Sequence, residues 1–129
     1  MKSKIILLVD DDEDDQLIFT DALSELGGDI QCITVNNGLE ALVYLQKMPN
    51  PILIFVDLNM PVMNGFDFLK TIKGNLRLEK IPVVIYTTSD HPRDKKETLA
   101  NGAHLFFTKT PDFKKLKTTL SEILMELDR

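Results

Sequence analysis

The feature that most constrains this chain is an alternation. Five strand-length apolar runs bounded by turn residues recur: Lys4–Val9, Ile30–Val35, Ile52–Val56, Pro82–Thr87 and His104–Thr108. Within three of them, IILLV, ILIFV and VVIY are continuously apolar rather than alternating, which suits strands buried on both faces of a parallel sheet. Helical patterns lie between and after them. Asp14–Leu26 places Leu17, Ile18, Leu23 and Leu26 near one side; Gly38–Met48 carries Leu39, Leu42, Val43 and Leu45; Gly65–Ile72 carries Phe66, Phe68, Leu69 and Ile72. Arg93–Asn101 is the weakest, with Gly102 as its stop, and Pro111–Leu127 has Leu116, Leu120, Ile123, Leu124 and Leu127 at helical spacing. The order reads (βα)5: an α/β domain with a five-stranded parallel sheet, helices on both faces and right-handed crossovers. At 129 residues, without internal repeat or low-complexity linker, the expectation is a single domain over 1–129 with no output domain.

In open α/β sheets, ligands bind outside the carboxyl ends of the strands. The residues that follow each run are therefore informative. Run 1 is followed by Asp10, Asp11 and Asp12, run 2 by the turn formers Asn36, Asn37 and Gly38, and run 3 by Asp57-Leu58-Asn59-Met60-Pro61. Run 4 ends in Thr87, followed by Thr88 and Ser89; run 5 is followed by Lys109. One edge of the sheet thus collects carboxylates, hydroxyls and one ammonium. Asp10, Asp11 and Asp57 brought together raise each other's pKa or recruit a cation. Hard oxygen ligands without His or Cys favour Mg²⁺ or Mn²⁺ over zinc, and such an ion keeps waters that a phosphate oxygen can replace. With Lys109 as a fixed positive charge and Thr87 as a hydroxyl donor, the set could stabilise a phosphoryl group passing onto a carboxylate.

Charge narrows the classes further. Positions 10–15 read DDDEDD, six of the 20 acids; outside that run 14 acids face 15 bases. A disordered acidic chain and a general nucleic-acid binder, which needs a basic face, are both excluded. The lone Cys32 can form neither an internal disulfide nor a zinc cluster and reads as a buried, inert strand thiol. No run approaches the ~18 apolar residues of a membrane span, and the opening MKSKIILLV is too short in apolar residues for a secretory signal. The expectation is a cytoplasmic protein with neither membrane nor nucleic-acid partners.

Four motifs, LLVDDD, FVDLNMPVMNG, IPVVIYTTS and FFTK, stand in order on four strand ends, and together they strongly resemble receiver domains of two-component response regulators over essentially the whole chain. The resemblance implies a doubly wound, flavodoxin-like fold with strand order 2-1-3-4-5. It implies that Asp57 accepts a phosphoryl group from the phosphohistidine of a sensor histidine kinase or a histidine phosphotransfer protein. It implies that Asp11 binds Mg²⁺ directly, Asp10 through water or by hydrogen bonding, and Asn59 through its backbone carbonyl, with Asp57 completing the protein ligands. Thr87 would swing to hydrogen-bond the phosphate, Lys109 would pair with it, and Phe106 would be the aromatic whose rotamer follows phosphorylation. Helix 4, strand 5 and helix 5 would then form the surface read by a downstream target, with a homodimer left open. Such a module is no enzyme beyond its own phosphoryl transfer and slow autodephosphorylation.

Two places depart from the family pattern. Lys109 is followed by Thr110-Pro111 where the family usually has proline directly. A non-proline cis bond costs about 2.5–4 kcal/mol, so Lys109–Thr110 is expected trans, with Thr110 as N-cap of the last helix and Pro111 in its first position. The third aspartate, Asp12, has no assigned role; with Glu13, Asp14 and Asp15 it reads as a solvated helix start favoured by the helix dipole. His91 and His104 read as ordinary loop and strand-start residues. Two other classes fit the residues less well. A phosphatase of the haloacid dehalogenase type could use Asp10-x-Asp12, but the chain lacks room for a cap domain and Asp57 is left unexplained. A flavodoxin needs amides and hydroxyls after strand 1, where six acids would repel a flavin phosphate. A degenerate receiver would lack part of the acid, Thr and Lys set, all of which is present.

Overall fold

The computed structural model describes residues 4–127. Five strands alternate with five helices: β1 Lys4–Val9, α1 Glu13–Leu26, β2 Ile30–Val35, α2 Gly38–Lys47, β3 Leu53–Val56, α3 Gly65–Lys73, β4 Val83–Thr87, α4 Pro92–Ala100, β5 Leu105–Thr108 and α5 Phe113–Leu127. The strands form one sheet in the order β2-β1-β3-β4-β5, and every pairing is parallel. The fold is thus the α/β, flavodoxin-like arrangement that the sequence pattern and the family resemblance imply.

The central strands are apolar throughout because each face meets its own helical layer. On one face Leu7, Val9, Ile54, Val56, Val83 and Ile85 pack with α2 and α3 through Ala41, Leu45, Phe68, Leu69 and Ile72. On the other, Ile6, Leu8, Leu53, Phe55, Val84 and Tyr86 meet α1 and α5 through Phe19, Ala22, Leu23, Leu116, Leu120 and Ile123. Phe19, Phe55 and Tyr86 form an aromatic cluster there, Phe55 meeting both other rings edge-on, with Phe19 and Phe55 centroids 4.8 Å apart. Helix α4 contributes only Thr98 to the buried set, in keeping with its weak apolar pattern.

Three sequence expectations need correction. The packed side of α1 is Phe19, Ala22 and Leu23, while Leu17 and Ile18 are 61% and 42% exposed. In α2 the core takes Ala41 and Leu45, and Leu39 and Val43 face outward. In both helices an alanine lies against the sheet, which lets the backbone approach and turns the neighbouring large residues away. The third correction is the start of α5. Thr110 does not cap it and Pro111 does not begin it. Asp112 is the cap: its Oδ1 accepts from Lys115 N at 3.1 Å and its carbonyl from Leu116 N. Thr110 Oγ1 instead accepts from Asp112 N at 3.2 Å. A carboxylate beats a hydroxyl at the positive end of a helix. All peptide bonds among the described residues are trans, Lys109–Thr110 included.

Candidate functional site at the carboxyl ends of β1, β3 and β5

Three site residues are fixed by extensions of the strand ladder. Asp10 N donates to Val35 O, Asp57 N to Val9 O and Lys109 N to Thr87 O, at 3.0, 3.0 and 2.7 Å. Since Val9 pairs with Val56, the residues just beyond, Asp10 and Asp57, emerge on neighbouring strands. Asp10 is completely buried and Asp57 is 7% exposed, while Asp11 is solvent-exposed at the rim. One carboxylate oxygen from each of the three lies within 4.8 Å of the others.

Lys109 enters from the β5 side with its side chain 8% exposed. Its Nζ donates to Asp57 Oδ2 at 2.9 Å and to Asp15 Oδ2 at 2.7 Å. It lies 2.7 Å from Asp10 Oδ2, an ion pair without hydrogen-bond alignment, so that oxygen is buried with no hydrogen bond. The ammonium also sits 5.3 Å from the centre of the Tyr86 ring. Burial raises the Asp10 pKa; Lys109 and the Asp12 amide oppose the rise, and the Asp57 charge adds to it. Burial alone would lower Lys109, but its close contacts with the carboxylates of Asp10, Asp15 and Asp57 more than offset it and hold the group protonated. Tyr86 is pushed up to about 12, chiefly by burial.

The other sequence candidates surround this centre. Asn59 is exposed, and its backbone N–H donates to Asp57 Oδ1 at 3.2 Å. Thr87 is fully buried at the end of β4, and its Oγ1 accepts from Ser89 N at 3.4 Å. Phe106 is half-buried and packs with the α2/α3 core. The loop after Asp57 returns tightly. A Cβ on Gly65 would lie 2.3 Å from Asp57 O, so only glycine fits, and Gly65 N donates to Leu58 O. Within that loop Val62 has φ 69°, and Met63 N donates to Pro61 O at 2.8 Å, a strained three-residue turn around a β-branched residue.

Two acids read as solvated have defined contacts. Asp12 is the N-cap of α1, its Oδ1 accepting from Asp15 N at 3.0 Å, while its own N–H donates to Asp10 Oδ1. A phosphatase D-x-D would need Asp12 at the centre; here its carboxylate is engaged on the helix. Asp15, carried on the first turn of α1, reaches Lys109. The available sequence signal was its place three residues beyond a strong cap, on the turn that opens at the strand 1 end.

The donor set fits a hard divalent cation. Three carboxylate oxygens converge, one partner is exposed to water, and Asp10 presents a buried oxygen that no hydrogen bond satisfies. No helix among the described residues is long and apolar enough to cross a membrane.

Known proteins match this architecture closely. The response regulator Rcp1 of Synechocystis sp. is 34% identical over 119 residues, covering 88% of this chain and 81% of that protein. The structure of the phosphorylated cyanobacterial phytochrome response regulator RcpA superposes with a TM-score of 0.87 at 30% identity, over 95% of this chain and 91% of that one. The Mn²⁺-bound form of Rcp1 superposes with a TM-score of 0.83 at 33% identity, over 93% and 91%. The sequence profile of the response regulator receiver domain matches residues 6–121, and the chain belongs to that family of two-component signalling proteins.

Proposed function

We propose that this chain is a phosphoacceptor module in which Asp57 takes a phosphoryl group from a phosphohistidine on a sensor histidine kinase or a histidine phosphotransfer protein. The observation that carries the reading is the Lys109 ammonium set between two carboxylates, 2.9 Å from Asp57 Oδ2 and 2.7 Å from the buried Asp10 Oδ2. As an Asp57 oxygen bonds to phosphorus, the P–N bond of the donor breaks and the histidine nitrogen keeps its electron pair. Lys109 meets the negative charge that moves onto the phosphoryl oxygens. Asp10, Asp11, Asp57 and the Asn59 carbonyl are the groups to hold Mg²⁺ or Mn²⁺, which when bound neutralises the transferring phosphoryl group. Thr87, buried beside this centre, is the hydroxyl to follow the phosphate, and Phe106 the ring to respond. The face of α4, β5 and α5 then presents the change to a downstream protein. The module's own chemistry is limited to phosphoryl transfer and hydrolysis of the resulting acyl phosphate.

The test is intact-mass measurement after incubation with acetyl phosphate and Mg²⁺. One phosphoryl group should be gained, and none by Asp57→Asn or in EDTA. A parent protein that gains no mass, or an Asp57→Asn variant that gains as much, would overturn the assignment.

A further inference from the structure

A third carboxylate, Asp15, holds the site lysine beside Asp10 and Asp57, and the proposed phosphoacceptor role assigns it no task. An ammonium has three N–H groups. At Lys109 two are engaged by Asp57 and Asp15, and the third side of the group faces Asp10. A phosphoryl oxygen arriving at Asp57 is a fourth anionic neighbour for this ammonium, so one of the three contacts must lengthen to admit it. Asp10 cannot move away, being fully buried and bound through Oδ1 to the Asp12 amide. Asp57 carries the phosphoryl group itself. Asp15 alone has an exit, with its side chain 31% exposed on the first turn of α1. That turn is pinned by Asp12, whose carboxylate accepts the Asp15 amide, so the acid on strand end and helix start with no other assignment is what aims Asp15 at the lysine.

We infer that Asp15 is a positioning residue that competes with the phosphoryl group for the Lys109 ammonium, holding it in the unphosphorylated state and yielding it when Asp57 is modified. This rests on the phosphoacceptor reading and deepens it. Asp15 sets how readily the site closes around a phosphoryl group, without touching that group itself. A charge-assisted contact to an ammonium is worth more when buried and less when exposed, and this one is intermediate. Its removal should therefore tighten binding of a phosphoryl mimic about five- to tenfold.

Beryllofluoride binding at saturating Mg²⁺ reads the competition directly. Asp15→Asn should lower the dissociation constant by that factor. Asp14→Asn removes an equal charge from the neighbouring exposed position and should change it less than about twofold. Asp15→Glu, which restores a carboxylate, should return toward the parent value, an outcome that a merely structural role for Asp15 does not produce. Asp15→Asn binding no more tightly than Asp14→Asn, with the parent binding normally, would overturn the competition alone. If neither the parent nor any variant binds beryllofluoride, the phosphoacceptor reading fails, and this inference with it.

Discussion

Neutralising Asp11 should make the metal-free protein more stable and the metal-loaded protein comparatively weaker. In the structure an Asp11 oxygen lies within 4.8 Å of oxygens of both Asp10 and Asp57. Each like-charge pair at that distance costs about 0.9 kcal/mol at the dielectric of water and about 3.5 kcal/mol at an effective dielectric of 20. Asp11 is exposed, so the lower figure applies more nearly, and counter-ions screen part of the two repulsions. The net relief from Asp11→Asn is then about 1 kcal/mol, or roughly 3–5 °C in melting temperature for a domain of this size. A divalent cation reverses the order. At a hundred times its dissociation constant it adds about 2.7 kcal/mol to a protein that binds it, and little to one lacking a ligand. Thermal melts at low salt, in EDTA and across a Mg²⁺ titration, should therefore cross. A variant that melts lower than the parent in EDTA would refute the account of mutual repulsion. A parent that gains nothing from Mg²⁺ would refute the cation site.

Two further outcomes follow from strain and burial. Val62→Gly should stabilise by about 0.5–1 kcal/mol, because Val62 holds φ 69° with 76% of its surface exposed, so strain is relieved at little cost in burial. A lower denaturation midpoint in urea would count against that strain. Alkaline pH should weaken the fold between about 10 and 12. Tyr86, pushed up to about 12, stays protonated in the folded state while the unfolded chain ionises near 10, so stability is intact below 10 and falls as pH rises through that window, by about 2–3 kcal/mol. Lys109, also shifted upward, acts in the same direction, so Tyr86→Phe should flatten the pH profile of the melting temperature only in part; a profile unchanged by the substitution would remove Tyr86 from the account.

Much of this architecture was legible in the chain because a parallel sheet buried on both faces leaves an unusual trace. IILLV, ILIFV and VVIY have no polar face to mislead the reader, and each is followed at once by a residue at the site. The helices were harder. Their apolar stripes are wide enough that Leu17 and Leu39 fit the pattern as well as the small residues Ala22 and Ala41 that in fact meet the sheet. The start of α5 was missed because Thr110 and Pro111 have the right chemistry for a helix start, and so does Asp112, whose charge decides the contest. Asp15 was missed for a different reason. A run of six acids looks uniformly solvated in one dimension, and only the cap at Asp12 determines which of them turns inward.

The strand order also bears on how the chain is made. β1 precedes its partners in sequence yet lies inside the sheet, pairing with β2 from the Lys4–Ile30 register and with β3 from the Ile6–Leu53 register. During synthesis one edge of IILLV can pair only once residue 35 is available, and the other only at residue 56. Unpaired apolar runs of this kind are the segments from which aggregates grow, and charged flanking residues are the usual protection. Here the protection is DDDEDD, abutting the run with no spacer. Asp10 and Asp15, which face Lys109 in the finished protein, thus belong to a run suited to guard an interior strand before the sheet closes. Replacing several acids of that run together should therefore lower soluble expression as well as alter the site.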